Sequence, residues 1–128
     1  MKKILLMFAV VTLLFGCAAM KQKITFPASD DIYMTTGDGD IQKPYTPIGQ
    51  LFYWDQGFRI PGPLIGLIAF KDVDPDVALK QEIAQEVKRM GGDGLINLSI
   101  NWQPAKNGFL GMFATGGSVA VYGTVIKR

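Results

Sequence analysis

Residues 74–102 read DPDVALKQEIAQEVKRMGGDGLINLSINW, and this stretch decides the class of fold. Its first half has the four, four and three spacing of one apolar helix face, carried by Leu79, Ile83, Val87 and Met90, with Val77 and Ala84 beside them. Asp74 fits the N-cap position, and Pro75 fits the first helical position, where a missing N–H costs nothing. Gly91 fits a left-handed C-cap. The pattern predicts one long helix between Asp74 and Gly91.

The second half of the stretch predicts a turn followed by a strand. The turn is assigned to four residues at the helix-to-strand junction, which are Gly91, Gly92, Asp93 and Gly94. The carboxylate of Asp93 is expected to accept hydrogen bonds from backbone N–H groups within this turn. Apolar and polar residues then alternate, which indicates a strand with one buried face formed by Ile96, Leu98, Ile100 and Trp102.

Further strands are predicted on both sides of this stretch. Upstream, residues 32–36 and 47–54 are β-favouring segments closed by turn residues, and residues 58–70 form an apolar segment broken by glycine and proline. Downstream, residues 118–126 carry apolar side chains on both faces, so this strand is central or is an edge covered by another subunit. The predicted fold is α+β, a small antiparallel sheet with one long helix packed on it, in the order ββ, irregular segment, αββ.

The first residues of the chain predict export and lipid attachment. Met1-Lys2-Lys3 is a short basic segment, and residues 4–15 form an apolar run that is too short to span a bilayer. The run ends in Leu14-Phe15-Gly16-Cys17, which resembles the lipobox of bacterial lipoproteins, in which the cysteine is acylated. We therefore expect a signal peptide over residues 1–16, a lipid anchor at Cys17 with a tether over residues 17–31, and a domain over residues 32–128. Ala18 favours the outer membrane, with the domain facing the periplasm.

Composition narrows the classes of function. Removing Lys2 and Lys3 from the 13 basic residues leaves 11, which equals the 11 acidic residues, so the mature chain is formally neutral. A neutral chain without a basic stripe does not favour nucleic acid as a partner. The chain has no histidine and one cysteine, so the usual general base is missing and no internal disulfide can form. We predict no catalytic residues and no cofactor.

Several short motifs resemble one family of small bacterial domains. They are Tyr33-Met34-Thr35-Thr36, Tyr45, Pro47-Ile48-Gly49, a long helix running into residues 90–97, and Val121-Tyr122-Gly123-Thr124-Val125. Together they resemble the YbjQ-like family over residues 32–128. The helix-to-strand junction is also faintly similar to that of the sensor lipoproteins of the Rcs envelope-stress pathway. The resemblance implies an α+β domain that assembles into rings and belongs to a family associated with heavy-metal binding.

The sequence departs from this family in its potential metal ligands. Soft and borderline metals prefer thiolate or imidazole, but the chain lacks histidine, and its only cysteine is assigned to the lipid. The carboxylates are not spaced as a ligand set; Asp38 and Asp40, for example, lack the other ligands of a calcium loop. The residues therefore predict no metal site, and the resemblance informs the fold and self-association.

An apolar connection before the last strand is the candidate interface. Residues 107–117 should form a polar surface loop, yet they contain Phe109, Leu110, Met112 and Phe113. This segment packs on its own domain, on a neighbouring subunit or on the membrane. We predict a non-enzymatic, membrane-tethered envelope lipoprotein that acts through protein contacts, structural or sensory, with itself or with another envelope protein. The alternative is a module that binds a small ligand or a metal.

Overall fold

A computed structural model describes residues 22–28, 31–38, 44–60, 68–107 and 113–128. These residues form one helix, α1 (residues 75–89), which packs on a four-stranded sheet, and a separate two-stranded sheet. The strands are β1 (Tyr33–Met34), β2 (Thr46–Gln56), β3 (Phe58–Arg59), β4 (Ala69–Lys71), β5 (Gly94–Gln103) and β6 (Ser118–Lys127). The predicted α+β class is confirmed. No helix among the described residues is both long enough and apolar enough to cross a membrane.

The large sheet has the strand order β1-β5-β6-β2. β6 lies in the centre, which is one of the two positions that its apolar faces predicted, and pairs antiparallel with both β5 and β2. The prediction of a purely antiparallel sheet is wrong at one edge, because β1 pairs parallel with β5. A parallel pair needs a long crossover connection, and here β2 and α1 lie between the two strands along the chain. β1 and β2 are the two edges.

Helix α1 begins as predicted but is not α-helical throughout. The Asp74 side chain accepts a hydrogen bond from the Asp76 N–H at 2.9 Å, and Pro75 is the first helical residue. A π-helical segment, Ala78–Ile83, separates the α-helical turns Pro75–Val77 and Ala84–Arg89. Val77 and Ala84 are seven residues apart, a spacing that places two residues on the same face of a regular α-helix. The π segment has more residues per turn, so the two side chains no longer share a face. Val77 is therefore 44% exposed, contrary to prediction, while Ala84 is buried.

The helix ends at the two glycines of the predicted turn. Gly91 has φ +83°, a left-handed conformation that glycine adopts without steric cost. The Gly92 N–H donates to the Val87 carbonyl and the Gly91 N–H to the Lys88 carbonyl, each at 2.9 Å, which is the Schellman arrangement. Gly92 also lies against the sheet, because a Cβ there would stand 2.4 Å from Val125 Cγ1. The junction thus needs a glycine at two positions, at Gly91 for its backbone conformation and at Gly92 for lack of space.

The other two junction residues differ from the prediction. Gly94 is the first residue of β5 and does not belong to the turn. The Asp93 carboxylate accepts a hydrogen bond at 2.9 Å from the backbone N–H of Arg128, the last residue, and not from the turn itself. The Lys127 Nζ and Arg128 Nε atoms lie 3.8 and 3.6 Å from the same carboxylate. Asp93 therefore fastens the end of β6 to the helix-to-strand junction.

An irregularity in β5 changes which side chains reach the core. Asn97 has φ +53°, and the register with β6 shifts between Ile96 and Ser99. This bulge puts Leu95 into the cluster that faces α1. Ile96 is buried, as predicted, but it lies outside that cluster. Beyond the bulge the predicted alternation holds, and the core side of the strand carries Leu98, Ile100 and Trp102. Val119, Val121 and Val125 of β6 are fully buried in the same cluster.

Two segments predicted without regular structure make defined contacts. Residues 22–28 belong to the predicted tether, yet Ile24 packs against the core, and Asp76 accepts hydrogen bonds from the Thr25 N–H and hydroxyl, each at 2.9 Å. Contacts with the domain therefore begin ten residues before the predicted boundary at residue 32. The predicted irregular segment contains the antiparallel pair β3–β4, while residues 61–67 lie outside the described residues.

Candidate interaction surface

The side of the large sheet that faces away from α1 carries three large aromatic residues. Phe52 and Trp54 of β2 are 67% and 58% exposed, and Tyr122 of β6 is 44% exposed. Phe52 lies directly opposite Tyr122 in the β2–β6 register, with ring centroids 5.2 Å apart and ring planes inclined by 37°. We call Phe52, Trp54 and Tyr122 the aromatic face.

Strand geometry explains why these side chains point outward. Successive side chains of a strand alternate between the two faces of a sheet. Leu51 is buried in the core and Tyr53 packs against it, so Phe52 and Trp54 must point to the other side. Only one helix is described, and it lies on the Leu51 side, so no described layer covers the aromatic face.

A shallow cavity adjoins the aromatic face. It has a volume of about 350 Å³ and is bordered by Phe52, Tyr122 and the polar side chains of Gln50, Asn97 and Thr124. Large exposed apolar groups next to polar neighbours are typical of surfaces that bind another protein.

A second aromatic pair lies on the small sheet. Phe58 of β3 and Phe70 of β4 have ring centroids 6.4 Å apart and are 60% and 69% exposed. Ile68, just before β4, is 62% exposed. The salt bridge between Arg59 and Asp72 joins the two strands beside these rings. The described surface therefore has a pair of exposed, neighbouring aromatic rings at each of two places.

The largest of the described cavities lies between β2, β4 and the start of α1. It has a volume of about 400 Å³, and its polar lining includes Tyr53, Asp55, Lys71, Asp72, Asp74 and Glu82. Lys71 Nζ lies 2.6 Å from Asp55. The pKa of the Tyr53 hydroxyl is raised by its partial burial and further by the negative charges of Asp55 and Glu82. The cavity suits a cationic group better than an anionic one.

The described residues contain no group of three or more histidine, cysteine, aspartate and glutamate side chains close enough to share a metal ion. Within the same ranges, no charged side chain belongs to a fully buried residue. The strongest pKa change is that of Asp76, which is lowered to about 2 by hydrogen bonds from Lys80 and then from Thr25. Asp76 holds the N-terminal segment through the hydrogen bonds from Thr25. Its contacts with Thr25 and Lys80 include no second carboxylate that could act with it in acid–base catalysis.

The predicted site residues are only partly covered by the structure. Cys17, Phe109, Leu110 and Met112 lie outside the described residues. Phe113 is described, has φ +60° and is 85% exposed, so its side chain does not pack on the described part of the domain. Phe113 is thus the one residue of the four candidate interface residues that the structure describes, and Thr115, in the same segment, pairs with Lys106 in an isolated bridge.

Sequence reasoning missed the aromatic face. From the sequence alone, Tyr53, Trp54, Phe58 and Trp102 are most simply predicted to be core or interface residues, and Phe52 is not among them. Gln50, Phe52, Trp54 and Gln56 occupy every second position of β2 and therefore line one face of the sheet, a pattern that the sequence already contains. It could not show that this face is uncovered, because burial of a face depends on other parts of the chain.

Comparisons with known proteins add little to these observations. No family model matches the chain, and no curated protein matches it. One solved structure is similar, that of a protein of unknown function from Pediococcus pentosaceus, which belongs to the DUF74 family. The match has 23% sequence identity and a TM-score of 0.46, and covers 75% of this chain and 96% of that one.

Proposed function

We propose that this protein is a lipid-anchored lipoprotein of the bacterial cell envelope, non-enzymatic, which acts through protein contacts in a structural or sensory role. The anchor is proposed at Cys17, because a basic start, a short apolar run and Gly16-Cys17 occur in the order that bacterial lipoproteins use. Two or three acyl chains give stable attachment to a bilayer. Ala18 supports the outer membrane as the location.

The docked N-terminal segment suggests how the domain would lie relative to the membrane. The Gln22 amide donates to Asp74 at 3.2 Å, and Thr25 is held by Asp76, so the chain is fastened at the N-terminal end of α1. Only five residue steps separate Cys17 from Gln22. Such a segment spans at most roughly 18 Å when fully extended. The N-terminal end of α1 would therefore stay near the bilayer surface.

The observation that carries the proposed protein contact is the aromatic face. Covering the exposed parts of Phe52, Trp54 and Tyr122 would bury roughly 300 Å² of apolar surface. At ~25 cal/mol per Å² this corresponds to about 7 kcal/mol, which association costs of ~4–15 kcal/mol can offset. The aromatic face would then be the centre of a larger interface, formed with a second copy or another envelope protein.

The anchor is tested by the substitution Cys17→Ser in the full chain expressed in bacteria. We expect the variant to keep its signal peptide or to leave the membrane fraction, because serine offers no thiol for acylation. Membrane fractionation and the mass of the processed chain measure this. A variant that is still processed after residue 16 and still acylated would contradict the proposal.

The contact is tested by the double substitution Phe52→Ser and Trp54→Ser. The control is Gln56→Ser, which changes an exposed residue on the same side of the same strand, outside the aromatic face and the cavity beside it. After crosslinking in intact cells, we expect the aromatic variant to lose the crosslinked species and the control to retain them. Equal crosslinking of both variants would contradict the proposal.

The second candidate function is binding of a small ligand or a metal ion, and the 400 Å³ cavity beside Tyr53 favours it. Its carboxylates would select a cationic ligand. Elemental analysis of the purified protein distinguishes the two functions: a stoichiometric metal that is lost in the Asp55→Ala variant would support this candidate over protein contact.

A further inference from the structure

β2 gives the large sheet one long free edge. In the order β1-β5-β6-β2 both outer strands are edges, but β1 has two residues and β2 has eleven. In an antiparallel pair, alternate residues direct their N–H and C=O groups away from the partner strand. Among the described residues, β2 pairs only with β6, so a row of backbone groups faces outward along it.

The middle of this edge lacks the features that normally prevent another strand from pairing. Pro47 and the register shift before Gly49 protect the start of β2, and the Lys71–Asp55 ion pair lies near its end. Residues 50–54 keep an unbroken register with β6 and contain no proline, lysine or other charged residue. We call residues 50–54 the open edge.

A groove runs between the open edge and the flank of α1. Its volume is about 300 Å³, and it is formed by Leu51 and Tyr53 on the strand side and by Glu82, Glu86 and Met90 on the helix side. Glu86 forms an exposed ion pair with Arg89, while Glu82 has no salt-bridge partner among the described residues. This groove and the neighbouring 400 Å³ cavity are together lined by five carboxylates and one lysine.

We propose that the open edge binds an extended segment of a partner protein as an additional strand, and that this segment alternates apolar with basic residues. The alternation follows from the two sides of the edge. On one side an added strand would place its side chains beside Phe52 and Trp54, and on the other beside Glu82 and Glu86. The inference rests on the proposed role in protein contacts and adds the chemistry of the partner.

Charge favours such a partner over a second copy of this chain. Pairing β2 with β2 of another copy would bring the acidic flanks of two α1 helices together. The side of β2 that faces the groove offers Leu51 and Tyr53, with no basic residue to meet the opposite carboxylates. Like charges placed together across an interface oppose binding.

The test uses the full-length protein in detergent and two short synthetic peptides. One alternates valine with lysine, and the other has glutamate in place of each lysine. We expect the lysine peptide to bind at least about tenfold more tightly and to weaken with added salt. Hydrogen exchange of the amides of residues 50–54 should slow when it binds. Equal affinity for both peptides, or unchanged exchange at the open edge, would overturn the proposal.

Charge reversal gives the matched comparison. The double substitution Glu82→Lys and Glu86→Lys changes one exposed and one half-buried helix residue and should reverse the preference, so that the glutamate peptide binds more tightly. The control is Asp38→Lys, which changes a carboxylate beside β1, at the opposite edge of the sheet, where Gly37 contacts Asn97. The control should leave the preference unchanged. A reversal in the control, or none in the double variant, would overturn the proposal.

Two further results separate this inference from the proposed function. If the protein alone doubles its mass in light scattering and protects residues 50–54, a second copy occupies the edge and the basic partner is wrong. In cells, loss of crosslinking in the Phe52→Ser, Trp54→Ser variant but not in the charge-reversed variant would retain the proposed function and reject this inference. Unchanged crosslinking in both would reject both.

Discussion

Both sides of the large sheet carry large apolar residues, but one side is covered by α1 and the other is exposed among the described residues. On the side of α1, Leu51 and Val121 are almost completely buried. The residues that follow them in sequence, Phe52 and Tyr122, point to the other side and are 67% and 44% exposed. Alternation along β2 and β6 separates the two sets of side chains. Apolar character therefore shows that a residue favours burial, but only the packing of other elements shows which residues are buried.

The largest difference between the two sides should appear on truncation of neighbouring residues of β2. Leu51→Ala should lower the free energy of unfolding by about 2–5 kcal/mol, because it leaves a cavity under α1. Phe52→Ala should change it by less than about 1 kcal/mol, because it removes one exposed ring contact with Tyr122. Denaturant titration of both variants measures the difference. Similar losses would mean that the outer side is also covered.

The second prediction concerns the junction that holds α1 against the sheet. Gly92→Ala should destabilise the protein by about 1–3 kcal/mol, because its Cβ would overlap Val125. Gly91→Ala is the comparison: nothing lies within 4 Å of its Cβ, so only the cost of a left-handed alanine remains, about 1–2 kcal/mol. Thermal unfolding should also show added loss when the alanine at position 92 is enlarged to leucine, and little dependence on size at position 91, where leucine, which is not β-branched, meets open space.

The third prediction distinguishes the effect of the aromatic face on apolar surface exposure from its effect on stability. Phe52→Ser with Trp54→Ser should reduce binding of a dye that detects exposed apolar surface, while the free energy of unfolding changes by no more than about 1 kcal/mol. The Gln56→Ser control should leave dye binding unchanged. Dye binding that is equal in all variants would assign it to another apolar surface, such as Phe58 and Phe70.

The smallest expected effect concerns the docked segment beside the core. The pKa of Asp76 is lowered from 3.8 to about 2 by hydrogen bonds from Lys80 and Thr25. Because the pKa of Asp76 is lower in the docked form, its ionised carboxylate stabilises this form fully at pH values above 3.8. This stabilisation is lost as the pH falls from 3.8 to about 2 and the carboxylate is protonated. The protection factor of the Thr25 amide, which corrects its exchange rate for the intrinsic effect of pH, should fall over that interval. In the Asp76→Ala variant this protection factor should be low at every pH; continued protection there would show that Ile24 alone holds the segment.

The sequence predicted the local features of the fold well, because their signals lie within a few residues of each other. The N-cap at Asp74, the first-turn Pro75 and the apolar faces of α1 and β6 each depend on neighbouring side chains and backbone. The same reasoning failed for the burial of Val77, for the partner of Asp93 and for the cluster that Ile96 joins, although Ile96 is buried as predicted. The π segment and the bulge at Asn97 shift the periodic pattern. The Asp93 contact joins residues that are 35 positions apart.

By itself, the sequence determined the α+β class, the helix and its ends, and the two apolar faces of β6. It also determined that the chain has no histidine and a single cysteine, the residues on which much of catalysis and metal binding depends. Tertiary structure alone decided that β1 is parallel, that residues 22–28 dock on the domain, and that β2 is an edge with Phe52 and Trp54 uncovered. The physical reason is the same in each case. Helix and strand preferences are set over a few neighbouring residues, whereas strand order, edges and uncovered faces depend on which distant segments pack together.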